Sequence, residues 1–216
     1  MNTLLRNTVG AISISLLTVL SAHATLTEND IAIYNQAAAG DEDQVEPAYY
    51  VFKQLIKNEG ATALTLVYLG SIETLKGRDA WMPWTAMKHV EKGLSTIDKG
   101  LTLLASEPNI EQQSRYMGLN ESYLARALAA TTYSSLPDMF NHFERGYDLF
   151  VELLAEPQFE QQPFPATAWI YNYAVQAALR ANDIQQAQQW LNTMRQQDKT
   201  HPETLSAQEA VKGEQS

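Results

Sequence analysis

The side chains that most often carry out catalysis are present in this chain, but they form no catalytic or metal-binding motif. The 216 residues include four His and no Cys, which excludes thiol nucleophiles and thiolate metal ligands. His89, His142 and His201 are isolated in sequence, so no His-Glu-x-x-His pair shares a helix face. Gly-x-Ser-x-Gly elbows and glycine-rich phosphate loops are also missing from the sequence. We therefore predict no metal and no other cofactor.

Carboxylates leave one enzymatic alternative open. Glu152 and Glu156 stand four residues apart, which would place them on one helix face, and paired carboxylates can act as general acid and general base. The same spacing is common on solvated helices, so it favours no particular reaction. We predict that the chain is not an enzyme. The alternative is a helical extracytoplasmic enzyme that uses carboxylates on cell-wall-type substrates.

One connection between predicted helices, residues 77–84, combines the residue types that dominate binding interfaces. It contains Arg78, Trp81, Met82 and Trp84, and Trp and Arg often carry the binding energy of an interface. These four residues are the candidate binding site. Aromatic side chains near a core are more often buried, so a second interpretation is that Trp81 and Trp84 fold back and plug the turn. Arg78 would then pair with the neighbouring aspartate or cap the preceding helix.

The net negative charge of the chain limits the classes of molecule that it is expected to bind. Fifteen Lys and Arg against 25 Asp and Glu give a formal net charge of −10. Nucleic-acid binding requires a basic stripe that this sequence does not have, and anionic membrane surfaces are disfavoured for the same reason. A neutral or cationic partner suits an acidic protein better.

The N-terminus has the design of a secretory signal. Arg6 supplies a positive charge, residues 9–20 form an apolar stretch, and Ala22-His23-Ala24 is a small-x-small cleavage pattern. The apolar stretch of about a dozen residues is shorter than the roughly 20 that span a bilayer. We predict a signal peptide over residues 1–24, cleavage between Ala24 and Thr25, no stable membrane insertion afterwards, and a periplasmic or secreted location.

Apolar residues recur at helical spacing along the rest of the chain. The clearest stripe steps by three or four residues through Met87, Val90, Leu94, Ile97, Leu101 and Leu104. Further stripes predict helices near residues 45–55, 139–154 and 184–194. Partner helices are predicted near residues 28–39, 61–76, 111–134 and 165–181, with Gly118-Leu119-Asn120 as a point where the third of these would kink or break. The sequence therefore predicts an all-α fold of about eight main helices.

A repeat becomes visible when the second helix of each pair is aligned on a small residue that is followed by apolar residues. These small residues are Ala48, Gly93, Gly146 and Ala187. With Leu66-x-x-Leu69-Gly70 in a first helix, the pattern resembles the tetratricopeptide repeat. The small residues stand 45, 53 and 41 residues apart, which is longer than the standard repeat, and only residues 168–201 have the standard length. The chain thus resembles exported bacterial helical-repeat proteins of unassigned function.

The resemblance implies antiparallel helix pairs stacked as a short, degenerate α-solenoid over residues 25–202. A polar tail, residues 203–216, would follow, with one short and poorly fixed helix. It further implies a concave surface that binds a protein or peptide, in a periplasmic scaffold that serves as an accessory to an envelope complex or transporter. A third possibility is a small-ligand carrier that uses residues 77–84 as one wall of its pocket. No particular oligomeric state is indicated.

Overall fold

The structure, a computed structural model, describes residues 26–106 and 109–214. The predicted signal peptide and the cleavage position between Ala24 and Thr25 lie outside these residues. Within the described part the fold is all-α, as predicted, with ten helices and one very short hairpin. None of these helices is both long enough and apolar enough to cross a bilayer.

The helices occur along the chain in the order in which the helix pairs were predicted. Their bounds are α1 (Glu28–Ala38), α2 (Val45–Glu59), α3 (Ala63–Arg78), α4 (Pro83–Leu103), α5 (Glu121–Ser135), α6 (Phe143–Leu154), α7 (Pro157–Glu160), α8 (Phe164–Arg180), α9 (Ile184–Asp198) and α10 (Pro202–Glu214). The hairpin before α5 consists of β1 (Arg115–Tyr116) and β2 (Leu119–Asn120), paired antiparallel.

Local signals in the sequence fix where the helices begin and end. The Thr27 hydroxyl accepts a hydrogen bond from the Asp30 backbone N–H at the start of α1, and Thr62 caps α3 in the same way. Pro83 is the first residue of α4, a position where its missing N–H costs nothing. Gly60 ends α2 with φ +89°, a conformation that favours glycine.

Consecutive helices pack in pairs: α1 with α2, α3 with α4, α5 with α6, and α8 with α9. We call α1, α3, α5 and α8 the first helices. Each first helix also contacts the first helix of the next pair, and α10 packs on α8 and α9 after the last pair. The predicted pairing is confirmed, and it brings the first helices together side by side.

Small residues allow the two helices of a pair to approach closely, as the sequence predicts. A Cβ atom on Gly93 of α4 would lie 2.5 Å from the carbonyl oxygen of Gly70 on α3. A Cβ atom on Gly146 of α6 would lie 2.5 Å from the backbone nitrogen of Ser134 on α5. Since real Cβ contacts are not this short, any larger side chain would push the paired helices apart.

The predicted break at Gly118-Leu119-Asn120 is present, but the part of the 111–134 helix that was predicted before it is wrong. Met117 and Gly118 adopt φ +51° and +81°, which makes the two-residue turn of a hairpin rather than a helix. The Arg115 guanidinium donates to the Asn120 side-chain oxygen at 2.8 Å, and Leu119 is fully buried. The chain therefore enters α5 only at Glu121, and the hairpin turn projects Met117.

The stripe predicted to start at Met139 starts instead at Phe143. Residues Asp138–Phe140 form a 3-10 turn, and Asn141 then adopts φ +54°, so the helix cannot extend back through this point. Met139 is 70% exposed instead of facing the core.

The C-terminal tail is more ordered than predicted. It forms the 13-residue helix α10, which buries Thr204, Ala207 and Val211. The side-chain amide of Asn172 on α8 donates to Glu203 at 2.6 Å. The short helix predicted in this tail is present, and it is fixed against α8 and α9 rather than poorly fixed.

Candidate binding groove

A groove runs across the first helices, and we call it the first-helix groove. It consists of two adjoining cavities of about 690 Å³ and about 320 Å³. Tyr34, Ala38, Thr131 and Tyr173 line both cavities, and they come from α1, α5 and α8. Helix α3 contributes lining residues from Tyr68 to Arg78. The groove thus draws on all four helix pairs.

The floor of the larger cavity carries hydroxyl groups that are already hydrogen-bonded within the protein. The pairs are Ser71 with Thr132 (2.7 Å), Thr74 with the Ser71 carbonyl (2.7 Å), Thr131 with the Ala127 carbonyl (2.9 Å) and Ser135 with the Thr131 carbonyl (2.7 Å). Burying a hydroxyl is costly only when it loses its partner. An apolar group can therefore cover this floor without a large desolvation penalty.

Aromatic side chains form the central part of the groove. Tyr34 is buried between α1 and α3, and its ring lies edge-on to Tyr68 at 4.8 Å. Burial raises the pKa of the Tyr34 hydroxyl, against a smaller opposing effect of its hydrogen bond with Ser71, so it stays neutral. Tyr173 on α8 is 41% exposed. The groove therefore combines a fixed aromatic floor with an accessible aromatic wall.

The smaller cavity has mostly apolar walls. Met117, at the tip of the hairpin, closes one side together with Leu124 and Leu128 of α5. Trp169 of α8 forms another wall and packs edge-on to Tyr173, with ring centroids 6.2 Å apart. The hairpin that the sequence did not predict thus contributes directly to this surface.

Arg78, the first of the predicted binding residues, lines the larger cavity. Its guanidinium donates to Asp79, with Nε–Oδ1 at 2.5 Å and Nη2–Oδ2 at 2.9 Å, and to the Ala37 carbonyl at 3.2 Å. The hydrogen bond to Asp79 is the main cause that raises the pKa of Arg78. Arg78 thus ties α3 to the end of α1, while it remains in the lining.

Trp81, Met82 and Trp84 are exposed, and the interpretation that the two tryptophans plug the turn is wrong. Their exposed fractions are 89% for Trp81, 36% for Met82 and 67% for Trp84. They surround Pro83, which lines the larger cavity together with Met139. We call Trp81, Met82, Trp84 and Met139 the rim. It places large apolar side chains in solvent beside one end of the groove.

The titratable side chains that sequence reasoning considered for catalysis lie elsewhere. Among the described residues, the linings of both cavities contain no Asp, Glu or His. Glu152 and Glu156 do not share a helix face, because α6 ends at Leu154 and Glu156 precedes α7. The Glu156 carboxylate accepts hydrogen bonds from both terminal nitrogens of Arg126, Nη1 and Nη2. The described residues also hold no group of three or more potential metal ligands.

An ion pair between the buried Glu73 of α3 and the exposed Lys92 of α4 lies outside the groove. Glu73 is 2% exposed, and its carboxylate contacts the Lys92 ammonium at 2.7 Å and accepts from the Thr96 hydroxyl at 2.7 Å. Its partner Lys92 also donates to the Tyr49 hydroxyl at 3.2 Å. The pair joins the first two helix pairs, and its role is therefore structural.

Sequence reasoning missed most of the groove. Tyr34, Thr131 and Tyr173 carry no motif, and they meet because α1, α5 and α8 pack side by side. One usable signal is the concentration of hydroxyl residues toward the C-terminal ends of α3 and α5, where a helix core would normally carry aliphatic side chains. Hydroxyls in those positions indicate a helix face that is neither core nor fully solvated.

Comparisons with known protein families, with curated proteins and with solved structures give no match to this chain. The interpretation of the groove therefore depends on its geometry and chemistry.

Proposed function

We propose that this chain is an extracytoplasmic scaffold that binds a segment of another protein in the first-helix groove. The observation that carries the proposal is the position of the groove across the first helices of four consecutive pairs. Export is proposed on the apolar stretch of residues 9–20 and the Ala22-His23-Ala24 pattern.

The order of helix contacts supports this proposal. Each first helix contacts the next first helix, and α2, α4 and α6 each contact the first helix that follows them. Such an order is expected of a helical-repeat array, in which extended surfaces formed by successive repeats bind proteins and peptides. A short tetratricopeptide-like solenoid is the arrangement that we propose for this chain.

The chemistry of the groove also suits a protein partner. Tyr, Trp, Met and Arg are the side chains enriched at protein interfaces, and Tyr173, Met117 and Arg78 are all in the lining. The exposed rim extends this surface beyond the cavities. A partner that buries apolar side chains in the groove and against the rim would be stabilised in the complex by the hydrophobic effect at both surfaces.

A second candidate is a carrier of a small apolar ligand. The specific observation in its favour is the floor of internally bonded hydroxyls, which demands no polar groups from the occupant. The larger cavity, about 690 Å³, also falls in the size range of small-molecule sites. An occupant of this kind would leave the rim uncovered, and this difference separates the two candidates.

Photo-crosslinking in the envelope tests the proposal. A benzoylphenylalanine at position 173 replaces a groove residue that is 41% exposed, and one at position 50 replaces Tyr50 on α2, which is 65% exposed. We expect discrete protein adducts from position 173 and none from position 50. Both variants should keep the unfolding midpoint of the unmodified protein.

Other outcomes are equally decisive. Equal adducts from both positions would mean that the groove is not the binding surface. A small-molecule adduct at position 173, without any protein adduct, would favour the carrier. No adduct at position 173 under conditions in which position 50 does react would refute both candidates.

A further inference from the structure

The Arg78 end of the first-helix groove is bordered by a negatively charged turn. The turn between α1 and α2 carries Asp41, Glu42 and Asp43, all exposed. It follows Ala38 and Ala39, which line the groove, after the single residue Gly40, and the negative charge of Glu42 makes a small contribution to raising the pKa of Arg78. We call these three residues the acidic turn.

The remaining charges at this end do not offset the acidic turn. Arg78 is neutralised by Asp79 through two hydrogen bonds. Arg180 is neutralised by Asp138, which precedes Met139 of the rim. Lys76, between Leu75 and Gly77 of the lining, is paired with Glu46 at 2.6 Å, and Lys88 on α4 is exposed. The border therefore keeps an excess of negative charge beside an uncharged groove floor.

Along the axis of α5, the groove extends over the length of a short helix. On α5 its lining extends from Leu124 to Ser135, and eleven residue steps at 1.5 Å each span about 16 Å. An amphipathic helix places one apolar side chain every three or four residues along one face, which is the usual mode of helix-in-groove recognition. About three turns of such a helix would match this length.

We propose that the partner segment is an amphipathic helix of about three turns, with its apolar face in the groove and on the rim and a basic polar face toward the acidic turn. The inference rests on the proposed function and deepens it. The floor of bonded hydroxyls accepts the apolar face, and the acidic turn selects the sign of charge on the other face.

Two peptides that differ only in charge test this inference. Each has about 14 residues and the same Leu face, with Lys on the polar face of one and Glu on that of the other. Fluorescence anisotropy with the mature protein should show the Lys peptide binding about tenfold more tightly at low salt. Added salt should reduce the difference in affinity between the two peptides, because salt screens interactions between exposed charges.

Variants of the protein assign the effect to named residues. Glu42→Lys should weaken binding of the Lys peptide several-fold, while Glu209→Lys on α10, with the same change in net charge, should not. Trp81→Ala combined with Trp84→Ala should weaken both peptides, and Tyr50→Ala on α2 should weaken neither. The melting temperature of each variant, measured by thermal unfolding, checks that the substitution leaves the fold intact.

Three results would overturn the inference. Equal or tighter binding of the Glu peptide would refute the role of the acidic turn. If the Trp81→Ala and Trp84→Ala variant binds the peptides as tightly as the unmodified protein does, the helix does not contact the rim. If neither peptide binds, while phosphatidylcholine vesicles bind in a manner that requires Trp81 and Trp84, the rim contacts membranes instead. In each case protein adducts at position 173 would still support the groove as a protein-binding surface, and their absence would refute the proposed function itself.

Discussion

Replacing Gly93 by Ala tests the packing that holds α3 and α4 together behind the groove. The added Cβ atom would lie 2.5 Å from the Gly70 carbonyl oxygen, 2.8 Å from Thr74 Cγ2 and 2.9 Å from the Thr74 backbone nitrogen. Two of these three atoms belong to the backbone, so no side-chain rotation can relieve the contact. The helices must move apart, and the buried residues along their interface lose contact.

Two opposing effects determine how much Gly93→Ala changes the free energy of unfolding. Overpacking of this kind costs about 3 kcal/mol when backbone must move, whereas Ala in place of Gly inside a helix gains about 1 kcal/mol. The expected net loss is about 2 kcal/mol in the free energy of unfolding. Gly213→Ala on α10 is the matched control, because a Cβ atom there meets nothing within 4 Å. The control should leave stability unchanged or slightly raised.

Urea unfolding monitored by circular dichroism measures both variants. A lower midpoint for Gly93→Ala, with the control unchanged, supports the close approach of α3 and α4. An unchanged or raised midpoint for Gly93→Ala would mean that the two helices do not touch at this glycine. The arrangement of groove residues on α3 and α4 would then be wrong as well.

Two further predictions concern charge. Lys92→Met should lower the free energy of unfolding by about 2 kcal/mol, because it leaves the buried Glu73 carboxylate without its cation. This loss is smaller than that expected for a fully buried ion pair, because Lys92 is itself exposed. The double variant Glu73→Met with Lys92→Met should recover most of this loss, and an unaffected single variant would show that the pair contributes nothing. Burial raises the pKa of Tyr171 to about 12, above the value near 10 of an unfolded tyrosine, so its contribution to stability is full below pH 10 and is lost as pH rises from about 10 toward 12. The urea midpoint should fall through this pH range while tyrosinate absorbance rises, and a constant midpoint would contradict the burial of the tyrosine.

The helices were predictable where one face alone is apolar. The stripe through Val90, Leu94 and Ile97 gives both the existence and the buried face of α4, and Pro83 gives its start. The same reasoning failed before α5, because backbone conformation at Met117 and Gly118 decides between helix and hairpin, and apolar spacing does not report it. It underestimated the length and packing of the helix in the tail, α10, because three buried residues leave almost no periodic signal.

The groove was less predictable than the fold. Sequence reasoning identified Arg78 and the exposed residues of the rim except Met139, since Trp and Arg in a connection are conspicuous. Tyr34, Thr131 and Tyr173 were missed because their proximity depends on packing between helices that are far apart in the chain. The alternative in which Trp81 and Trp84 are buried is wrong, since both side chains are mostly exposed where Pro83 starts α4.

Hydrogen exchange of the complex with the protein segment captured at position 173 shows which helices the partner covers. If the partner occupies the first-helix groove, amide exchange slows in the lining stretches of α1, α3, α5 and α8 and in the hairpin at Met117, and it stays unchanged in α2, α6 and α9. Slower exchange confined to α2, α6 and α9 would contradict the claim that the first-helix groove is the binding surface.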